Sequence, residues 1–140
     1  MDTLRTLSRR YADLQDDVAR LLSEADMLRD ASPSAARLSG LPSGGGDPGD
    51  PTYATVARIL ALESQADSKR ADVDAVALTI CRTIAADVPV AYHGIIRGHY
   101  LTGLSYDRLA SIYHYTPDHV ARLCRRYGSV PAVEVPTVSP

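Results

Sequence analysis

The sequence predicts an all-α protein, in which a long N-terminal heptad helix and a long central helix form an antiparallel hairpin ahead of a C-terminal three-helix helix-turn-helix unit. Apolar residues recur at steps of three and four through two long segments, which is the period of an amphipathic helix. Short segments with helix-capping residues follow, and no segment shows the alternation of a β-strand. The chain of 140 residues is long enough for one modest domain or two very small ones.

The composition limits what the core and the surface can be. Eight Tyr occur without any Trp or Phe, so the core must be aliphatic, with Tyr at its edges where the hydroxyl stays wet. The formal net charge of −2 excludes binding to polyanions by bulk charge, so nucleic-acid affinity would require a local basic patch. Cys81 and Cys124 lie in apolar helical patterns and are predicted to be buried thiols in a reducing compartment. No apolar run approaches the roughly 20 residues that span a bilayer, and we expect a cytoplasmic protein without a membrane partner.

Residues 1–30 are predicted to form a heptad helix. Its apolar stripe consists of Leu4, Leu7, Tyr11, Leu14, Val18, Leu21, Ala25 and Leu28. Such a stripe is typical of a coiled coil, which would give a homodimer through this helix. The stripe equally fits packing against the next long helix of the same chain, and Tyr11 and Ala25 depart from a pure zipper. Both alternatives stay open on the sequence.

The next two segments are predicted as a linker and a long helix. Residues 31–51 are rich in Gly, Pro and Ser, which favours a flexible linker. Residues 52–87 follow as a long amphipathic helix, with Pro51 tolerated at its first turn. The stripe of this helix is Val56, Ile59, Leu60, Ala66, Val73, Ala77, Ile80 and Ile84. Because the linker lets the chain return, antiparallel packing of the two long helices is expected.

Residues 88–128 carry the pattern of a helix-turn-helix. Pro89 ends the long helix, and Gly103 ends the short helix that follows. Ser105 and Thr116 are predicted caps of two further short helices, the first with Leu109 and Ala110 on its inner face. The turn places His114 where a left-handed residue is needed, a position at which His is among the better-tolerated residues other than Gly. Residues 129–140 contain several Pro and are predicted to be a disordered tail.

The last predicted helix separates apolar from basic residues. At about 100° per residue, the residues Val120, Leu123, Cys124 and Tyr127 share one sector, opposite Asp118, Ala121, Arg122 and Arg125, with His119 and Arg126 on a flank. Residues 88–127 hold five Arg, two Asp and all four His, a net charge of +3, which leaves −5 for the rest of the chain. An exposed face of this kind is suited to a major groove, where Arg pairs with guanine or phosphate. The sequence therefore predicts binding to double-stranded DNA.

A catalytic function is not expected. The histidines at 93, 99, 114 and 119 lack the spacing of three or four that puts two ligands on one helix face. The stretch SGGGDPGD lacks the Lys and Ser/Thr of a phosphate-binding loop. We therefore expect no enzyme activity, no catalytic or metal-binding residues and no cofactor.

The segment HYLTGLSYDRLASIYHYTPDHVARLCRRY resembles the region-four helix-turn-helix of sigma factors, in the form found in RinA-like phage transcriptional regulators. The stretch DPGDPTYATVARIL is similar to the entry to that family's central helix, so the resemblance reaches from the N-terminus to about residue 128. The sequence departs from the family at Leu109, usually Ile, at Thr116, usually Ser, and in the more basic CRRYG.

The resemblance implies a phage or prophage regulator in the cytoplasm of a bacterial host, which activates late or packaging genes and engages host RNA polymerase. It implies that Asp118, His119, Arg122 and Arg125 face DNA, that Thr116 caps their helix, and that Tyr106 and Arg108 touch the DNA backbone. Arg126, on the flank of the same helix, completes the candidate DNA-binding residues.

Two other functions fit the same pattern. A small terminase-like packaging subunit also joins a helix-turn-helix to helical oligomerisation segments, and it forms rings, whereas a regulator would be a monomer or dimer. A sigma or anti-sigma type adaptor would instead present the helix-turn-helix to a protein.

Overall fold

A computed structural model describes residues 2–31 and 51–133 of the chain, with Pro51 described by its backbone alone. The elements are α1 (Leu4–Ala31), α2 (Pro51–Asp87), a 3-10 helix (Val90–Tyr92), α3 (His93–Tyr100), α4 (Tyr106–Tyr113) and α5 (Pro117–Tyr127). The described residues form no β-strand, only one isolated bridge between Thr3 and Pro131. The predicted all-α class is confirmed. The predicted linker lies outside the described residues except for Ala31 and Pro51 at its ends.

The chain divides into two compact units. The hairpin unit comprises Leu14–Asp72, and the terminal unit combines Met1–Asp13 with Val73–Pro140. Both long helices contribute to both units, because the division falls within α1 and within α2. No helix in the described residues is both long and apolar enough to cross a membrane.

In the hairpin unit, α1 and α2 pack against each other in antiparallel directions. Ala25 of α1 is buried with Ile59 and Leu62 of α2. Asp17, early in this part of α1, pairs with Lys69, late in this part of α2, at 3.3 Å. The partly buried residues around this small core are Leu21, Leu28 and Val56. The apolar stripe of α1 is therefore used within the chain, as the intramolecular alternative requires.

The prediction for the apolar stripe of α2 was wrong at one residue, Leu60. Leu60 is 59% exposed, and Leu62 is fully buried in its place. Leu62 follows Ile59 by three positions and precedes Ala66 by four, so it keeps the helical period that Leu60 breaks. Cys81 is likewise exposed, whereas Cys124 is buried as predicted.

The terminal unit has a larger core, to which all five α-helices contribute. Its buried side chains are Leu4 and Leu7 of α1, Ile80 and Ile84 of α2, Val88 directly after α2, Ile95, Ile96 and Tyr100 of α3, Leu109 and Ala110 of α4, and Val120, Leu123, Cys124 and Tyr127 of α5. The predicted helix-turn-helix of residues 88–128 is thus not closed on itself. Its core is completed by the first two turns of α1 and the last turns of α2.

Backbone hydrogen bonds fasten the start of α1 to the segment after α5. The amide of Leu4 donates to the carbonyl of Val130 at 3.0 Å, and that of Ala132 donates to Asp2 at 2.8 Å. The amide of Val133 donates to Thr83 Oγ1 at 3.0 Å. Residues 129–133, predicted to belong to a disordered tail, are instead held by these bonds. The rest of that prediction, residues 134–140, lies outside the described residues.

Candidate nucleic-acid interface

The turn between α4 and α5 has the geometry that the sequence predicts. His114 adopts the left-handed conformation, with φ 61° and ψ 38°, and its amide donates to the carbonyl of Ala110. The next amide, that of Tyr115, also donates to Ala110, at 3.0 Å. A left-handed residue after a helix satisfies its last carbonyls in this way, which ends α4 and redirects the chain into α5.

Both helices of the pair begin at a side-chain cap. The Ser105 hydroxyl accepts a hydrogen bond from the amide of Arg108, and the Thr116 hydroxyl accepts one from the amide of His119, each at 3.2 Å. Pro117 occupies the first turn of α5, where its missing N–H is no loss. Both predicted caps are confirmed. The two caps fix the residues at which α4 and α5 begin.

The α3 helix approaches α4 closely on the buried side of the helix-turn-helix. A Cβ atom on Gly98 would lie 2.7 Å from Leu109 Cδ2, closer than real Cβ contacts come. A larger residue at position 98 would therefore require the end of the Leu109 side chain to shift. Leu109 and Ala110 then face the buried side of α5, where Val120 and Cys124 are fully covered.

The two faces of α5 differ as the helical wheel predicts. Val120, Leu123, Cys124 and Tyr127 are buried. Asp118, Arg122, Arg125 and Arg126 are exposed, and Ala121 lies between them half-buried. The guanidinium of Arg126 lies over the ring of Tyr127, 5.5 Å from its centroid. This contact gives the Arg126 guanidinium a partner within the protein.

The remaining candidate residues lie around this face. Thr116 and Arg108 are exposed, whereas His119 and Tyr106 are half-buried. The ring of His119 meets that of Tyr115 edge-on, with centroids 5.0 Å apart. The ring of Tyr106 lies against His99, at 4.8 Å, so packing within the protein already holds it. His99 is itself fixed by a 3.1 Å hydrogen bond between Nδ1 and the carbonyl of Leu104.

The electrostatics of the interface are those of an unpaired basic surface. Within residues 2–31 and 51–133, no carboxylate forms an ion pair with Arg97, Arg108 or the three arginines of α5. Asp107 and Asp118 occupy the first turns of α4 and α5, where a negative charge complements the helix dipole. Apart from the contact of Arg126 with the Tyr127 ring, these guanidinium groups have no charged partner in the described residues.

The buried side of the site holds two groups that stay uncharged. Burial raises the pKa of the Cys124 thiol to about 11, so the thiol remains protonated near neutral pH. Burial also raises the pKa of Tyr100, and the neighbouring Cys124 adds to that rise while Arg5 opposes it. The Tyr100 hydroxyl donates a hydrogen bond to the carbonyl of Cys124, which ties α3 to the last turn of α5.

The contribution of α1 is the part of the site that sequence reasoning missed. The amide of Arg5 donates to the carbonyl of Gly128 at 2.9 Å, directly after α5. The Ser8 hydroxyl donates to the carbonyl of Tyr100 at 2.7 Å, at the end of α3. A start signal was present, because Thr3 and Thr6 cap each other reciprocally across the first turn of α1. That signal locates the helix start, but it does not indicate which distant elements the start contacts.

The described residues hold no group of three or more His, Cys, Asp or Glu side chains placed to bind a metal ion. No family model matches this chain, and the searches of curated proteins and of solved structures found nothing significantly similar to it.

Proposed function

We propose that this protein is a sequence-specific DNA-binding regulator of transcription that inserts α5 into the major groove of double-stranded DNA. The observation that carries the proposal is the separation of faces on α5. Its apolar side is covered by the terminal-unit core, while Arg122, Arg125 and Arg126 are exposed without a carboxylate partner in the described residues. A surface of this kind meets the negative charge of DNA and offers Arg to base edges.

The roles of the individual residues follow from their positions along α5. Asp118 and Arg122 are one turn apart, so a carboxylate and a guanidinium address neighbouring base edges, the first accepting from cytosine and the second donating to guanine. Thr116 fixes the start of α5, because its hydroxyl accepts from the amide of His119. Arg108, on α4, and Arg126, on the flank of α5, are assigned to the DNA backbone. His119 and Tyr106 are assigned to the edge of the interface, because each is partly engaged by a ring neighbour.

The resemblance to RinA-like phage regulators makes the proposal more specific. We infer a binding rather than a catalytic function, in the cytoplasm of a bacterial host, with activation of phage late or packaging genes and contact to host RNA polymerase. The helix-turn-helix pattern and the leading long helix support this inference, and the more basic end of α5 departs from the family.

A homodimer through α1 is a separate proposal. The stripe of α1 is covered by α2 within the hairpin unit, where Ala25 is 1% exposed. A dimer would therefore have to use the outer face of α1 or exchange α1 between two copies. Analytical ultracentrifugation tests this directly, since a monomer mass at high concentration would contradict either arrangement, and a ring of many subunits would favour the packaging function.

The decisive experiment for the function is in-vitro selection of bound duplexes from a random DNA library at physiological salt. A regulator of this kind enriches one short motif, and Arg122→Ala weakens binding to that motif while the chain stays folded. Absence of any enriched motif, with a folded protein, would contradict sequence-specific regulation and favour a packaging or protein-interaction role.

A further inference from the structure

The first turns of α1 carry two arginines that no part of the proposed helix-turn-helix function uses. Arg5 and Arg9 are both exposed, and a spacing of four places them on one face of the helix, one turn apart. In the described residues neither forms an ion pair, although Arg10 beside them pairs with Asp2 at 3.1 Å. Asp13, one turn beyond Arg9, is not in ion-pair contact with it either.

This face of α1 borders the C-terminal end of α5. The Arg5 amide is bonded to the carbonyl of Gly128, and Ser8, between the two arginines in sequence, is bonded to the carbonyl of Tyr100. The Arg5 side chain lies near enough to the Tyr100 hydroxyl to oppose the rise of its pKa, and that hydroxyl is bonded to Cys124 in the last turns of α5. Arg5 therefore stands beside the turn of α5 that carries Arg125 and Arg126.

The length of α5 brings this end to the DNA backbone. Its 11 residues span about 16 Å at 1.5 Å per residue, whereas the major groove is about 12 Å wide. A helix that places its N-terminal turns against base edges thus carries its C-terminal turn to the edge of the groove, where the phosphates lie. Cations gathered at that end meet phosphates rather than bases.

We propose that Arg5 and Arg9 of α1 form, with the C-terminal turn of α5, a second phosphate-binding surface that extends the DNA footprint beyond the helix-turn-helix. The proposal rests on the proposed DNA-binding function and adds a contact made by the N-terminal helix. The proposal gives a function to the hydrogen bonds that join the start of α1 to the segment directly after α5. These bonds hold the start of α1 in a fixed position relative to α5.

Arg5 also complements the negative end of the α5 dipole, so it has a structural role as well. Arg9 lies one turn farther along α1, beyond the Arg5 amide that is bonded to Gly128, which makes Arg9→Gln the cleaner variant. The matched control is Arg20→Gln, on the same helix in the hairpin unit, where Arg20 is exposed and paired with Asp17 at 2.9 Å.

The test measures binding of the full chain to a labelled random-sequence duplex as a function of salt. A lost phosphate contact makes the slope of log affinity against log salt shallower by about 0.9. Arg9→Gln and Arg5→Gln are expected to show this change singly, and about twice this change together, with the thermal transition of Arg9→Gln unchanged. Arg20→Gln is expected to keep the wild-type slope.

The outcomes separate the two proposals. Wild-type slopes in both α1 variants, with Arg126→Gln shallower, would overturn the second surface and leave the DNA-binding function intact. Equal changes in the Arg20→Gln control would also overturn it, because the effect would then follow net charge rather than place. No binding of the wild-type chain to any duplex would overturn both.

Discussion

The hairpin unit and the segment from α3 to α5 differ in whether their basic residues form ion pairs. Every described Arg or Lys between Leu14 and Asp72 forms an ion pair, and these residues are Arg20, Arg29, Arg58, Lys69 and Arg70. Between His93 and Tyr127 the five arginines at 97, 108, 122, 125 and 126 form no ion pair with the described residues. The two regions belong to one chain and face the same solvent.

The difference concerns what the charges contribute to folding. Exposed ion pairs contribute about 0.2–1 kcal/mol each, so the hairpin uses its charges for modest local stabilisation. Clustered like charges are destabilising at similar magnitudes when they are a turn apart on a helix. Under the proposed function, the free energy that this unpaired arginine cluster costs the fold would be recovered on binding an anionic partner.

The largest expected effect comes from the N-terminal turn that completes the terminal-unit core. Leu4 is fully buried, and Leu4→Ala is expected to cost about 2–5 kcal/mol of unfolding free energy, because a cavity replaces the side chain. Thermal unfolding gives the magnitude, and hydrogen exchange gives the place, since the amides of α5 should exchange faster.

Met27 provides the matched control on the same helix. It is 61% exposed in the hairpin unit, so Met27→Ala should change stability by no more than about 0.5 kcal/mol. Loss of protection confined to residues 14–72 in Leu4→Ala would contradict the placement of α1 in the helix-turn-helix core.

The next effect concerns binding rather than folding. Arg122→Ala is expected to weaken binding to the selected DNA site by about 1–3 kcal/mol and to relax base preference at one position. Competition titration on the selected site and on single-base variants measures both quantities. Arg20→Ala, in the hairpin unit, should leave both unchanged, and an equal loss on random DNA would reassign Arg122 to a phosphate.

The local features of the terminal unit could be predicted because short-range chemistry determines them. Ser105 and Thr116 are capping residues directly before apolar periods, and both cap as expected. His114 takes the left-handed position because it directly follows the last residue of α4, where a left-handed residue ends the helix, and His tolerates that conformation better than most residues. The opposed faces of α5 follow from residue spacing, because a helix that packs through its apolar sector leaves the opposite sector exposed.

The long-range features could not be predicted in the same way. Leu4 and Leu7 fit a coiled-coil stripe and a helix-turn-helix core equally well, because periodicity defines a face but not what covers it. The bonds from Leu4 and Arg5 to Val130 and Gly128 join residues more than a hundred positions apart. They depend on tertiary packing within the terminal unit, and no local signal in residues 129–133 carries that information.

A smaller effect is expected at the cap of α5. Thr116→Ala removes the hydroxyl that accepts from the amide of His119, and it should cost about 1 kcal/mol of unfolding free energy. Thr116→Ser keeps an acceptor at the same place and should be close to wild type in thermal unfolding. If the two variants were equally stable, the bond to His119 would make no net contribution to the free energy of unfolding. The start of α5 would then be determined by Pro117 and by packing alone.

The smallest effects bear most directly on the contrast between the two regions, because only the substitution in the hairpin unit should lower stability. Arg58→Gln removes the 3.2 Å pair with Glu24 and should lower stability by about 0.2–1 kcal/mol, a loss that vanishes in high salt. Arg122→Gln should instead leave stability unchanged or raise it by a few tenths of a kcal/mol. Its two neighbours one turn on, Arg125 and Arg126, repel it, and only Asp118 one turn back attracts it. Chemical denaturation at low and high salt measures both variants. A loss of equal size at both positions would mean that the α5 arginines serve folding after all, whereas opposite signs would mean that stability was given up at this surface for binding.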